Sequence, residues 1–402
     1  MELPLPAIII GIGGAGARIA RMMMNTSALD TMLISSNAND LIMEKGDEKR
    51  SGRRNGYDDD ICTVLDPSSH LTKTVPRIER VLLNTGVLNP SPYTIRGSLL
   101  ASESSIRTRL IGYNTFIIVA NLAGRNGVAV APLLADMIKA NTDSNVRLII
   151  FAIMPFGFES DRLFRAGVTL KKLSEMSDCT IVVDNDSFLA NNPDLSIEEC
   201  YRIANGILLE VFNMIMLSSE VKGLNMLSAG IDDGDGIDAV VKNAVRMLYS
   251  NTKPDKVKSA LLYVVDGGTE DVSIGLIDSL AKRMSSILGE YRDYVMVKTS
   301  MMSRGLRRRG YGREDDDENS NRVGISSNSS GNSIGTGGVI GAEAHDSSMY
   351  SAVLLAEVTG ISKFDSYDPL SILPRECMLD WEYSESEIRL NVESLTALPN
   401  LE

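Results

Sequence analysis

Ala7–Met24 reads AIIIGIGGAGARIARMMM, an apolar run that breaks into glycines and resumes as an amphipathic stretch. The run Ala7–Ile12 has the length and unbroken apolar character of a strand buried on both faces. The segment after the glycines has the apolar spacing of a helix lying on such a sheet. Gly11, Gly13, Gly14 and Gly16 fall between the two. With no Cβ in the way, backbone there can approach a phosphate closely, and the free N–H groups and positive end of the helix point at it. Tight strand-to-helix packing is the plainer use of any one of these glycines, but four in six residues exceed what packing demands.

The spacing Gly11, Gly13, Gly16 is also the GxGxxG of dinucleotide-binding enzymes. Such a site wants an acidic residue at the end of the second strand to hold a ribose. Here that strand ends in Ser35, Ser36, Asn37, Ala38 and Asn39, with Asp40 just beyond. At this point a mononucleotide site and a dinucleotide-dependent oxidoreductase both stand, the second without its ribose anchor.

Further apolar runs follow: TMLIS (31–35), TFIIVANL (115–122), VRLIIFAI (146–153) and CTIVV (179–183), alternating with helical stretches. This is the pattern of a parallel α/β sheet covered on both faces, and residues 1–195 read as one nucleotide-binding domain. Ser196 and Glu199 have capping-box spacing ahead of an apolar periodic run, so 196–222 reads as a long central helix connecting two domains. A smaller α/β unit is expected over 223–302 and 349–365. Its helices fall near Ala239–Tyr249 and Val272–Leu288, and its strands at Ala260–Asp266 and Tyr294–Thr299. Between its halves, residues 303–348 run from Arg304, Arg307, Arg308, Arg309 and Arg313 through Glu314–Glu318 into Ser/Asn/Gly repeats. Such a composition buries too little apolar area to offset ordering entropy, so a disordered insertion is expected. The acidic tail 366–402 carries the apolar anchors Met378, Leu379 and Trp381. It reads as a docking peptide for a protein partner or, more plainly, as a packed or solvated tail.

Composition narrows the function. A chain of 402 residues with 44% hydrophobic content has enough apolar matter for two domains. A net charge of −13 disfavours nucleic acid as a partner, because Lys and Arg supply most of that affinity. No apolar run approaches the ~18 residues of a transmembrane helix, and Glu2, Pro4 and Pro6 replace the basic start of a signal peptide. The four cysteines, Cys62, Cys179, Cys200 and Cys377, are scattered, as in a reduced cytoplasmic protein. With His70 and His345 as the two histidines, no dedicated metal site is expected.

The order of motifs resembles the FtsZ/tubulin superfamily, in particular a divergent archaeal-type FtsZ, over roughly residues 5–300 and the last strand. After the first glycine loop, the family's Asn-Thr-Asp is similar to Asn37-Ala38-Asn39. Its second loop GGGTG(S/T)G with Ala-Ala-Pro resembles the region of FIIVANLAGRNGVAVAPLLADMI (116–138), matching at Pro132. Arg-Pro-Phe-x-Phe-Glu-Gly is similar to MPFGFES (154–160), and Pro-Asn-Asp-x-Leu-Leu to Asp184–Leu189. Ile-Thr-Gly-Gly is similar to Val265–Gly268, and Ala-Thr-Gly to Val358–Gly360. Each match is short; their shared order and spacing carry the resemblance.

The resemblance implies a Rossmann-like GTPase domain, a long central helix and a smaller C-terminal α/β domain, in a cytoskeletal protein of the cytoplasm that binds GTP or GDP and assembles head to tail with copies of itself. It places Gly13, Gly14, Ala15 and Gly16 at the α- and β-phosphates, and Asn37 and Asn39 near the γ-phosphate and its Mg²⁺. Glu159 falls at the ribose contact, and Asn185 and, with a one-residue register slip, Glu198 at the guanine. The second loop departs from the pattern, becoming Ala123, Gly124, Arg125, Asn126, Gly127, Val128 and Ala129. Asn126 keeps a donor, while Arg125 either pairs with phosphate or fills the γ-phosphate space. Weak or absent GTP hydrolysis is implied, with a nucleotide-free scaffold on the same fold as the alternative. In the family a loop from the next subunit completes hydrolysis with Asn-x-Asp-x-x-Asp. Asp233, Asp235 and Asp238 fit that spacing, making Asp235 and Asp238 the catalytic candidates, and a register through Asp232 and Asp235 also fits. The plainer reading of this segment is a solvated acidic turn capping a helix.

Overall fold

Strand β1 (Ala7–Ile12) is buried along its whole length, and its side chains divide by parity between two cores. Ile8, Ile10 and Ile12 enter one, Ala7 and Ile9 the other. The same alternation runs through β4 (Thr115–Asn121), where Phe116, Ile118 and Ala120 face one side and Ile117 and Val119 the other. A continuous apolar sequence is thus what a strand covered on both faces requires. The computed structural model describes residues 4–27, 29–42, 76–141, 146–191, 196–217, 221–231, 237–266, 282, 295–299 and 350–365.

The remaining strands are β2 (Asp30–Ser35), β3 (Ile78–Leu82), β5 (Arg147–Met154), β6 (Cys179–Asp184), β7 (Gly223–Ile231), β8 (Val257–Asp266), β9 (Val295–Thr299) and β10 (Tyr350–Val358). Among the described residues they form one sheet in the order β3-β2-β1-β4-β5-β6-β7-β10-β8-β9. From β3 to β7 every pairing is parallel; β10 runs antiparallel to both β7 and β8. Helices α2 (Pro92–Ala101), α3 (Glu103–Leu110), α4 (Arg125–Asn141), α5 (Ser160–Met176) and α8 (Ile237–Asn251) cover one face. The other face is covered by α1 (Gly13–Ser27), α6 (Asn185–Asn191) and α7 (Ile197–Leu217).

The long helix expected from 196 is α7, which lies on the sheet. Leu208, Val211, Phe212 and Ile215 are buried in one core with Ile9 and Ile19, and each such burial contributes about 1.5–3 kcal/mol. Strand β7 was not legible in the sequence: its residues GLNMLSAGI mix Gly, Asn and Ser with the apolar positions. It is held by pairing on both edges, and Gly230 lets α8 lie directly on it, since an added Cβ there would stand 1.9 Å from the Val240 carbonyl oxygen. By pairing with β6 on one edge and β10 on the other, β7 joins the later strands edge to edge with the earlier ones, so the two expected units share one sheet. The helix expected at Val272–Leu288, the insertion 303–348 and the tail 366–402 lie outside the described residues, apart from Lys282.

Candidate nucleotide-binding site

Strand order reverses between β1 and β4: β1 leads through α1 to β2 on one side, and β4 leads through α4 to β5 on the other. Such a switch point opens a crevice at the carboxyl ends of the strands. Both helices begin there, α1 at Gly13 and α4 at Arg125. Two sets of unsatisfied N–H groups, each at the positive end of a helix, converge on the crevice and favour an anion.

Glycine is required where these turns close. Gly13 has φ +68°, in the left-handed region, and a Cβ there would stand 3.1 Å from the Cβ of Asn126. The two glycine loops therefore touch. A Cβ on Gly16 would stand 2.4 Å from the Val119 carbonyl oxygen, and one on Gly127 would stand 2.0 Å from that of Asn121. Gly14 sits over Asp40, whose Oδ1 is 2.8 Å from the Cβ position, and Ala15 is half-buried beside it. Gly124 donates its N–H to the Asn121 carbonyl at 3.0 Å, closing the turn ahead of α4.

Asn126 ties α4 to the end of β2. Its Oδ1 accepts from the Ser36 N–H at 3.0 Å, and its Nδ2 donates to Ser35 Oγ at 3.4 Å. Ser35 Oγ in turn donates to Asp40 Oδ2 at 2.6 Å and accepts from the Asn37 N–H at 3.1 Å. Asn37 caps the turn Ala38–Leu41 by accepting from the Asn39 N–H, and both asparagines are exposed at the rim. Asp40 was the acid nearest the position a dinucleotide enzyme would use. Its carboxylate is folded back under Gly14 and onto Ser35.

Arg125 donates from Nη1 to Asn89 Oδ1 at 2.5 Å and to the Pro90 carbonyl at 3.4 Å, in the loop before α2. These two bonds use Nη1; the guanidinium has further N–H donors on Nε and Nη2 that can meet a phosphate. Val128 and Ala129 are helix residues packed into the core, 8% and 0% exposed. Where the family carries small or hydroxyl residues, this chain has apolar side chains that serve packing.

Further along the same edge lie the residues matched to ribose and base. From β1 to β6 is three strand spacings, about 14 Å at ~4.8 Å each, the reach of one mononucleotide. Glu159 precedes α5; its Oε2 accepts from the Phe156 N–H at 3.1 Å and its Oε1 from Arg162 Nη1 at 2.5 Å. Asn185, 2% exposed, opens α6 and donates from Nδ2 to the Met154 carbonyl at 3.3 Å. Glu198 is exposed in the first turn of α7. Beside them an aromatic group gives a flat apolar surface: Phe158 stacks on Phe156 at 5.0 Å, and Tyr201 meets Phe156 edge-on at 5.3 Å. Burial, and then the charge of Glu159, raise the Tyr201 hydroxyl above its ordinary pKa. Tyr201 was not singled out from sequence, where it sits unmarked in a helical run.

The acids flanking Asn185 were also missed as a unit. Asp184 is fully buried and Asp186 half-buried, and Lys363, far along the chain, reaches both. Burial pushes the Asp184 carboxyl up against the opposing pull of Lys363. For Asp186 burial also pushes up, but the Gly157 N–H and Lys363 outweigh it and the net shift is down. Asp235 lies outside the described residues, and Asp238 is the second residue of α8, with its side chain outside them. Among the described residues no group of three or more His, Cys, Asp and Glu side chains stands close enough to hold a metal, and no helix is long and apolar enough to cross a membrane. Cys179 and Cys200 are buried free thiols.

Residues 6–193 match the tubulin/FtsZ family, GTPase domain. Over that segment the chain carries a divergent, FtsZ-like domain of the tubulin/FtsZ family. Cell division protein FtsZ 1 of Pyrococcus horikoshii is 26% identical over 256 residues, 63% of this FtsZ-like chain and 60% of that protein. FtsZ 2 of Methanocaldococcus jannaschii is 23% identical over 187 residues, 41% of this chain and 48% of its own. The match thus spans about 60% of the length of the FtsZ 1 relative. Among solved structures, an FtsZ of M. jannaschii superimposes with a TM-score of 0.57 at 16% identity, covering 88% of this chain and 91% of its own. CetZ2 of Haloferax volcanii, solved as a GTPγS-bound protofilament, gives 0.57 at 17% identity, covering 90% and 96%. These likenesses show that the FtsZ-like fold extends past the matched GTPase domain.

Proposed function

We propose that this FtsZ-like chain binds a guanine nucleotide across the β1/β4 switch point and assembles head to tail into cytoplasmic filaments, with slow or absent GTP hydrolysis. The observation that carries the reading is the contact of Gly13 with Asn126, which brings the N-termini of α1 and α4 to one crevice. Gly16 and Gly127 let the two turns pack on β4, since a Cβ at either would overlap its backbone, and the N–H groups of the two helix starts are what would meet a phosphate. In this reading the N–H groups of Gly13–Gly16 and of Arg125–Gly127 hold the α- to γ-phosphates, with Asn37 and Asn39 at the outer rim. Glu159 meets the ribose, Asn185 and Glu198 the guanine, and Tyr201 and Phe158 offer aromatic surface for stacking.

Mg²⁺ would neutralise phosphate oxygens and draw its remaining ligands from water, as this hard cation commonly does. Slow turnover follows from the altered second loop: Val128 and Ala129 offer no hydroxyl, so fewer preorganised donors meet the developing charge. Asp235 and Asp238 of one subunit are proposed to position water at the nucleotide of the next. The buried Val128 and Ala129 equally favour a scaffold on this fold that uses no nucleotide turnover.

Denaturing the purified protein and chromatographing what it releases tests the reading. Guanine nucleotide is expected; NAD, or no nucleotide together with no GTP or GDP binding, would end it. Sedimentation with and without GTP and Mg²⁺ then tests assembly. Turnover is expected to fall in Asp235→Ala and Asp238→Ala, and unchanged turnover in both would remove the loop assignment.

A further inference from the structure

Lys363 lies 179 residues beyond Asp184 in the chain, yet its Nζ donates to Asp184 Oδ2 at 2.6 Å and to Asp186 Oδ2 at 3.0 Å. These two acids bracket Asn185 at the start of α6. Asp184 Oδ2 also accepts from the hydroxyl and the N–H of Ser187, while its Oδ1 is buried with no hydrogen-bond partner among the described residues. Asp186 uses its other oxygen to accept from the Gly157 N–H at 3.0 Å, beside the exposed ring of Phe158. The lysine thus closes a small network that holds the turn at the end of β6 against the turn at the end of β5.

The segment that carries Lys363 is itself firmly seated. Ile361 and Phe364 are buried, 3% and 5% exposed, in the core shared with α8. Thr252 Oγ1 donates to the Gly360 carbonyl at 2.8 Å, and the Thr359 N–H donates to the Lys256 carbonyl at 2.8 Å. Two apolar anchors flank the lysine and hold it over the acids, and β10 lies immediately before them. A lone surface ion pair would do little here. A buried carboxylate that depends on one lysine for its counter-charge is different, because removing that lysine leaves the charge uncompensated.

We propose that Lys363 is a positioning residue for the base end of the nucleotide site: the helical turn after β10 fixes the Asp184-Asn185-Asp186 turn, so guanine recognition depends on the seating of the C-terminal part of the sheet. This rests on the nucleotide reading above and adds to it the regulation of base selection from a distant strand. The phosphate end, built from Gly13, Gly16 and Asn126 three strands away, is independent of it.

The test uses the full chain and the variants Lys363→Met, Lys363→Arg and Asp186→Asn, the last keeping the Asp184–Lys363 pair in case the first does not fold. GDP, ADP and inorganic tripolyphosphate are titrated against each, and amide exchange is followed over residues 184–191. In Lys363→Met, GDP affinity is expected to drop about tenfold, the preference for GDP over ADP to shrink, and amide protection at 184–191 to fall. Tripolyphosphate affinity stays as in the wild type, Lys363→Arg restores most of the selectivity, and Asp186→Asn shows the same pattern more weakly. Equal loss of GDP and tripolyphosphate binding would reduce Lys363 to a general stability role and overturn the proposal. Unchanged selectivity and unchanged exchange in Lys363→Met and Asp186→Asn would overturn it as well. A wild-type chain with no guanine preference would sink the nucleotide reading itself, and this inference with it.

Discussion

The Cβ of Asn126 stands 3.1 Å from where a Cβ on Gly13 would be, so the turn after β1 and the first turn of α4 are in direct contact. Asn126 also accepts from the Ser36 N–H, which makes it the joint of three turns, those after β1, β2 and β4. Replacing it by alanine leaves that N–H without its partner at a cost of about 1 kcal/mol. Asn126→Ala is therefore expected to shift urea unfolding modestly while lowering guanine-nucleotide affinity about tenfold. Titration with a fluorescent GDP analogue checks this, and wild-type affinity in the variant would remove Asn126 from the site.

Gly16 and Gly127 face backbone carbonyl oxygens at 2.4 and 2.0 Å from their Cβ positions, and backbone in a paired strand cannot step aside as a flexible side chain can. Gly16→Ala and Gly127→Ala should each destabilise by about 2–3 kcal/mol or more. Gly97, in the interior of α2, has nothing within 4 Å of its Cβ position. Gly97→Ala should stabilise by about 0.5–1 kcal/mol through helix propensity and a less flexible unfolded chain. Thermal melts of the three variants separate the effects; a tolerated Gly127→Ala would contradict the packing of α4 on the end of β4.

Arg125 holds Asn89 and Pro90, so its removal should free the loop before α2 rather than empty a phosphate pocket. In Arg125→Ala the expected changes are faster amide exchange over residues 83–91 and a nucleotide affinity within about threefold of wild type, less than the loss of a bidentate phosphate contact would bring. A fall of two orders of magnitude, with a reduced salt dependence of binding, would show that the guanidinium turns to phosphate when nucleotide arrives.

Glu210, 8% exposed in α7, has its pKa raised by burial to about 7 and faces no cationic partner among the described residues. The unfolded chain releases that proton near the ordinary carboxylate value, so between there and about pH 7 the folded state binds more protons and stability falls as pH rises. The penalty is absent below the unfolded pKa and complete above about pH 7. Glu210→Gln should match the wild type at pH 4 and exceed it at pH 8 by about 1–2 kcal/mol, a discounted value because partial solvation screens the charge. Denaturant titrations at the two pH values check this; an equal difference at both would mean that the carboxyl does not titrate in this window.

Much of the first half of the fold was legible because long apolar runs identify strands buried on both faces, and the glycines of 11–16 mark a turn where backbone must come close. Asn126 was readable as a retained donor, but its partners Ser35 and Ser36 lie some ninety residues away and no local pattern joins them. Strand β7 was hidden by its Gly, Asn and Ser, which a central strand tolerates when a helix backbone lies directly on it. Lys363 gave no signal, since a single lysine near a Thr-Gly turn looks like any solvated one.

What the sequence settled by itself was the type of layer and the kind of loop, because side-chain period and the absence of Cβ atoms are local properties. Which loops meet, which carboxylate a distant lysine neutralises, and that strands before and after the long helix share one sheet were decided by tertiary structure. Those facts depend on hydrogen bonds and charge pairs between segments whose separation along the chain carries no trace of their partnership.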